Sequence, residues 1–106
     1  MNIAVNARHM EVTDAMRQYV EAKAAKLPRM YHNVQSVEVI LDTEADRAFV
    51  EVVATATHKN TFVATQKHDD MYACIDQCFD KLTEQLRRHK DKVRNHKGPA
   101  RPEGRQ

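Results

Sequence analysis

The residues best suited to chemistry in this chain are cations crowded near its C-terminal end: Lys81, Arg87, Arg88, Lys90, Lys92, Arg94 and Lys97. At 100° per residue, Lys81, Arg88 and Lys92 fall on one helical stripe, with Arg87, Lys90, Arg94 and Lys97 flanking it. Ammonium and guanidinium groups carried on a rigid helix act as a row of phosphate contacts, each losing little entropy because the backbone is already fixed. A solvated helix with cations favouring its C-terminal dipole accounts for two or three such residues. It does not account for seven opposed only by Glu84 and Asp91. Residues 1–80 hold 8 Lys/Arg against 12 Asp/Glu, a charge of −4, whereas residues 81–106 hold 9 against 3, a charge of +6. The net +2 therefore hides a basic C-terminal quarter, and the partner it implies is a polyanion, either nucleic acid or an acidic membrane surface.

Other reactive residues have simpler explanations. Cys74 and Cys78 lie four apart in a helical pattern, with His68 nearby. That spacing supplies two metal ligands at best and no second pair follows, so two small side chains at the border of a helix stripe is the expected role. No orienting group or oxyanion site accompanies them, so a cysteine nucleophile is not expected. Asp69 and Asp70 suffice as helix caps. His89 and His96 add to the basic array only when protonated. Tyr31, Phe62 and Tyr72 could stack on bases, but aromatics are 6% of the chain, which argues against a single-strand reader built on successive stacking.

Glycine decides much of the rest. Both glycines, Gly98 and Gly104, fall in the last nine residues. Glycine-rich phosphate loops, the GxSxG elbow, the GXXG clamp and the glycine-bearing RNP1 strand are thereby excluded from residues 1–97, because each needs a backbone that approaches its ligand without a side chain intervening. The chain is not expected to hydrolyse nucleotides or bind dinucleotides, and no cofactor or metal is expected. No apolar run approaches the ~20 residues of a membrane span, no signal peptide is visible, and the two cysteines build no disulfide scaffold. A cytoplasmic location is expected, with no membrane partner.

These cations must be positioned by a small fold. Ile3, Val5 and Ala7 alternate with polar neighbours as a strand. Thr13 caps a helix that buries Met16, Val20, Ala24 and Leu27, and Pro28 stops or distorts it. Val37, Val39 and Leu41 mark a second strand, Asp42–Asp46 a polar turn, and Val50, Val52, Ala54 and Ala56 one face of a third. His58-Lys59-Asn60 reads as a hairpin connection, with Asn60 in the left-handed position, before a fourth strand over Thr61–Thr65. A long helix then carries Met71, Ile75, Phe79, Leu82, Leu86 and Val93 on its apolar side. It runs to about His96, roughly 40 Å. A four-stranded sheet is only ~20 Å across, so the last turns must project past it. The expected order is β-α-β-β-β-α, an α+β fold with both helices on one face of a four-stranded mixed sheet and the first two strands parallel. Residues 1–97 form one domain and 98–106 a flexible tail. With the helices side by side, Lys23, Lys26 and Arg29 flank the same groove as the basic helix.

Two segments resemble a known family. Lys67-His68-Asp69-Asp70-Met71-Tyr72-Ala73-Cys74-Ile75-Asp76, continued by Asp80-Lys81-Leu82 and Gln85-Leu86, resembles the turn and second helix of the short bacterial ribosome hibernation-promoting factors and ribosome-associated translation inhibitors. Glu11-Val12-Thr13-Asp14-Ala15-Met16-Arg17 and Lys23-Ala24-Ala25-Lys26-Leu27 resemble its first helix. The similarity covers residues 1 to about 97. It implies a fold like a double-stranded-RNA-binding domain and a non-enzymatic protein, monomeric when free. Such a protein binds the small subunit and its 16S rRNA, and the 70S ribosome, but not DNA. It would lie in the mRNA channel across the A and P tRNA sites, inhibiting translation and preserving idle ribosomes in stationary phase or stress. By position, the implied RNA contacts are Lys23, Lys26, Lys81, Arg87, Arg88, Lys90, Lys92 and Arg94, with Lys97 at the margin. The large C-terminal dimerisation domain of long-form members and the long acidic extension of the inhibitors have no counterpart in this sequence. The competing reading is a stand-alone RNA-binding regulator, or a modulator of a protein complex, that meets ribosomes incidentally.

Overall fold

The computed structural model describes residues 1–57 and 60–97, with side chains as far as Asp91. Alternating apolar and polar residues give four strands: β1 (Asn2–Arg8), β2 (Val34–Glu44), β3 (Arg47–Ala56) and β4 (Thr61–His68). Three helices accompany them: α1 (Asp14–Ala24), α2 (Leu27–Met30) and α3 (Met71–Lys97). The sheet order is β1-β2-β3-β4, with β1 and β2 parallel and the other pairs antiparallel. Short links force hairpins between β2, β3 and β4, while the helical crossover after β1 permits the parallel pair. The α+β architecture expected from the sequence is therefore the one formed.

One face of the sheet is covered. Val5, Val37, Val39, Leu41, Val50, Val52, Ala54 and Ala64 point into the core, where they meet Val20, Ala24 and Leu27 from α1 and α2, and Ile75, Phe79, Leu82 and Leu86 from α3. Thr13 caps α1 by accepting a hydrogen bond from the Met16 amide at 3.1 Å. Asp70, rather than Asp69, caps α3, its carboxylate accepting from the Ala73 amide at 3.0 Å. Asp69 instead pairs with Arg47 at the start of β3.

Three expectations need correction. The first helix ends at Ala24, before Pro28, and Leu27 is helical: a further one-turn helix begins there, with Pro28 in its first turn. Proline is tolerated at that position because the amide it lacks would have no helical partner. The polar run Asp42–Asp46 is mostly strand, because β2 continues to Glu44, which pairs with Arg47. Ala45 and Asp46 alone make the turn, with φ of 48° and 65°. Positive φ at both central residues is the type I′ pattern, which matches the twist of a hairpin and here forms without glycine. Cys74 and Cys78 stand in the middle of the core, both fully buried, not at its border. In the β3–β4 link, His58 and Lys59 lie outside the described residues; Asn60 is described, its backbone amide donating to the Thr57 carbonyl at 3.4 Å and its side-chain amide to the same carbonyl at 3.3 Å. Residues 98–106 also lie outside the described residues.

A left-handed alanine is unfavourable by roughly 1–2 kcal/mol, whereas asparagine tolerates this region. Ala45→Asn should therefore stabilise the fold by about 0.5–1 kcal/mol. Urea unfolding would show this as a higher midpoint at unchanged slope; an unchanged or lower midpoint would mean the turn is not strained.

Candidate nucleic-acid interface

The placement of α3 governs every cation on it. Its contact face carries small side chains, Cys74 and Cys78, over Ala48 of β3 and Ala64 of β4, so helix and sheet approach closely. The Cys74 thiol donates to the Gln66 carbonyl at 3.2 Å, and the Cys78 thiol to the Ala64 carbonyl, also at 3.2 Å. Burial pushes both thiols up, Cys78 to about 12, so neither is an available nucleophile at neutral pH. Among the described residues, no three His, Cys, Asp or Glu side chains gather in a group able to hold a metal ion.

Toward β4, α3 closes an open sheet edge. The Lys81 ammonium donates to the Thr65 carbonyl at 2.9 Å and the Gln85 amide to the Val63 carbonyl at 2.8 Å. Covering such carbonyls suppresses pairing with another chain's strand. On the opposite flank, Lys90 donates to the Met30 carbonyl at 3.3 Å and lies 5.7 Å from the centre of the Tyr31 ring. The Tyr31 hydroxyl in turn donates to the Thr83 carbonyl at 3.4 Å, so α2 and its C-terminal residue are tied to α3. Between these flanks, facing water, Glu84 pairs with both Arg87 and Arg88, and Asp91 pairs with Arg87 at 3.2 Å. Arg87, foremost, and Arg88 hold the Glu84 carboxyl below the usual carboxylate range.

Among the α3 cations whose side chains are described, the positions are distributed around the helix. Lys81 lies at the β4 edge, Arg87 and Arg88 on the outer face, and Lys90 beside α2. The side chains of Lys92, Arg94 and Lys97 lie outside those described, although their backbone continues α3. Lys26 is exposed on the link after α1, and Arg29 is exposed on α2, near Arg87 and Lys90 in the α2–α3 groove.

Lys23 has a partner that helical projection could not supply. Its ammonium meets the Asp76 carboxylate of α3 at 2.7 Å, and the same oxygen accepts from the Tyr19 hydroxyl at 2.6 Å. Tyr19 also packs edge-on against Tyr72, ring centres 5.0 Å apart. This cluster locks α1 against α3. Hydrogen bonds from Lys23 and then Tyr19 hold the Asp76 carboxyl below its ordinary value, while Asp76 raises both partners. Arg29 lines the groove between α2 and α3, as expected; what sequence spacing missed is that Met30, Tyr31 and His32 meet Arg87 and Lys90 there. Pro28 was the available signal, since proline marks a helix start as readily as a stop.

The geometry describes a small domain carrying cations around one long helix. The model of the Sigma 54 modulation protein / S30EA ribosomal protein family matches residues 3–94. The chain belongs to this family. It is 36% identical over 102 residues to the ribosome hibernation promoting factor of Azotobacter vinelandii, an alignment covering 96% of this chain and 94% of that one. The factor of the same name from Escherichia coli K12 is 37% identical over 99 residues, covering 91% and 100%. Among solved structures, the N-terminal domain of Protein Y from Thermus thermophilus superposes with a TM-score of 0.76 at 33% identity, covering 84% of this chain and 99% of that one. A ribosomal subunit interface protein from Coxiella burnetii has the same fold, with a TM-score of 0.80 at 22% identity, covering 86% and 99%. No described helix of this family member is long and apolar enough to cross a membrane.

Two outcomes follow from the buried and bridging groups. In the native protein at about pH 8, Cys74 and Cys78 should resist a soluble thiol reagent and react only as the chain unfolds. Rapid labelling of the native state would contradict their burial. Asp76→Asn should lower stability at neutral pH by about 0.5–1 kcal/mol, a partly exposed pair being screened by solvent. Because the Asp76 pKa is depressed on folding, its contribution is present above ~3.9 and is lost as pH falls through the folded value. Lys23 and Tyr19, raised on folding, contribute below ~10 and lose that contribution as pH rises through their folded values. The stability curves of the two proteins should therefore converge on the acid side, as pH falls through the folded value of Asp76. A gap undiminished there would assign the effect to packing.

Proposed function

We propose that this chain is a non-enzymatic ribosome hibernation factor of the cytoplasm. It binds the small ribosomal subunit in the mRNA channel, across the A and P tRNA sites, through its basic helices. Occupying that channel excludes mRNA and initiator tRNA, which inhibits translation and preserves idle ribosomes in stationary phase or stress. The observation that carries this reading is the basic α3 within a family whose similar members are ribosome hibernation promoting factors.

The physical argument is electrostatic. The 16S rRNA backbone supplies closely spaced phosphates, and the RNA-contacting set is Lys23, Lys26, Lys81, Arg87, Arg88, Lys90, Lys92, Arg94 and Lys97. Arg87 and Arg88 already meet oxygen anions in Glu84 and Asp91. Phosphate oxygens can take the place of those carboxylates, because exposed ion pairs are worth only about 0–1 kcal/mol. Lys23 serves two ends, holding α1 against α3 and adding positive charge to that side. The free protein is monomeric, and the 70S ribosome is bound as well as its small subunit.

The family description also names modulation of sigma 54, which favours a second reading, a modulator of a protein complex. Sedimentation of cell extract through sucrose separates the two: the hibernation reading requires co-migration with 30S and 70S particles. At constant magnesium, binding must weaken steeply between about 50 and 200 mM monovalent salt. Replacing Arg88, Lys92 and Arg94 together by Gln should weaken small-subunit binding by at least about tenfold. These positions follow Leu86, the last buried residue among those described, so folding stability should change by no more than about 1 kcal/mol. Leu82→Ala removes a fully buried side chain and should cost about 2–5 kcal/mol while leaving every cation in place. Undiminished binding by the triple variant would make α3 an ordinary solvated helix and remove the basis of the proposal.

A further inference from the structure

Beneath the overhang of α3, at the end of the sheet, lies an apolar cleft that the contacts described so far do not use. Val34 and Ala56 form its floor, Phe62 and Leu86 its walls, and Met30 and Tyr31 its side toward α2. Its volume is about 150 Å³, about that of a protein cavity that accepts one benzene ring. Phe62 stands edge-on to His89 with ring centres 5.2 Å apart, and Met30 is 45% exposed although it is a large apolar side chain. The rim is cationic. Lys90 borders this cleft and also the adjoining groove, which Arg29 and Arg87 line. Asp91 is the acidic residue lining that groove, and it is paired to Arg87. An apolar cleft of this volume, opening beside a cationic groove, has the polarity of a nucleotide: a flat base for the cleft and a phosphate for the groove.

We propose that this cleft takes a single unstacked pyrimidine base of an RNA chain, with the adjoining phosphate held in the groove of Arg29, Arg87 and Lys90. The proposal deepens the RNA-binding reading above and rests on it for the source of the nucleotide. A single six-membered ring matches this volume with little crowding, whereas a purine's second ring adds bulk against Phe62 and Leu86, so the pyrimidine is the favoured base. An RNA base extruded from its stack gains a hydrophobic wall of Phe62 and Leu86 in exchange. The site accepts one base, consistent with a chain too poor in aromatics for a stacking track.

The test is a titration of the full wild-type chain with uridine 5′-monophosphate, adenosine 5′-monophosphate and inorganic phosphate, each at millimolar concentration. Binding is followed by nuclear magnetic resonance at the Val34 and Leu86 methyls and the Phe62 ring. Uridine monophosphate should shift these signals, adenosine monophosphate should bind at least about fivefold more weakly, and phosphate alone should leave them unmoved. No response to uridine monophosphate, or an equal response to the purine, overturns the proposal. Ala56→Leu, which fills the floor of the cleft, should abolish the response and weaken small-subunit binding by about fivefold or more. If that variant does not fold, the wild-type titration decides alone. If it folds and binds subunits as tightly as wild type, the ribosomal use of the cleft is refuted. Wild-type protein that binds subunits while its cleft ignores uridine monophosphate retains the hibernation reading and loses this one. Protein that binds the nucleotide but no ribosomal particle does the reverse.

Discussion

Everything distinctive in this molecule depends on how closely α3 can lie on β3 and β4. Alanine on the strands and cysteine on the helix leave so little between them that two thiols reach the sheet carbonyls at 3.2 Å. Larger residues at Cys74 or Cys78 would lift the helix and force strained rotamers on its neighbours. Close seating brings Lys81 and Gln85 within reach of the β4 edge and Leu82 and Leu86 into the core. The portion after Leu86 is then aimed by a base that cannot rock. A helix so anchored holds the backbone of its cationic positions at fixed helical spacing.

The second constraint is across the helices. Asp76 is a single carboxylate that collects both the Lys23 ammonium and the Tyr19 hydroxyl, while Tyr31 and Lys90 tie α2 to α3 further along. These links are few and partly exposed, yet they act where hydrophobic burial alone fixes no angle, since helix packing tolerates a range of crossings. Polar contacts therefore orient what apolar burial holds together. The break between α1 and α2 belongs to the same design. It turns the chain so that Leu27 points inward while Arg29 and Met30 face the groove beside α3.

Charge on α3 is organised as well as abundant. Glu84 clasps two guanidinium groups and Asp91 one of them, so the outer face of the helix is held in an ion-pair network. Such exposed pairs stabilise weakly. The network also keeps neighbouring arginines from repelling one another along the free helix.

How much of this was legible in the sequence follows from which effects are local. Strand alternation, the Thr13 cap, the long apolar stripe of α3 and the absence of glycine before Gly98 are one-dimensional signals, and they determined the α+β architecture and the basic character of the last helix. Resemblance of residues such as Lys67–Asp76 to a known family carried the functional class. The errors lay where local chemistry is ambiguous. Pro28 both ends and begins helices, and Asp42-Thr43-Glu44 has turn-like composition but is drawn into β2 by its pairing with β3. Cys74 and Cys78 seemed marginal until the sheet beneath them proved small enough to admit the helix. Tertiary structure alone decided that Lys23 reaches Asp76, that Lys81 covers a strand edge, and that Lys90 borders a cleft with Tyr31. Each of these joins residues far apart in the chain, and a long flexible side chain takes its partner from whatever the fold places within its reach, which spacing along one helix cannot specify.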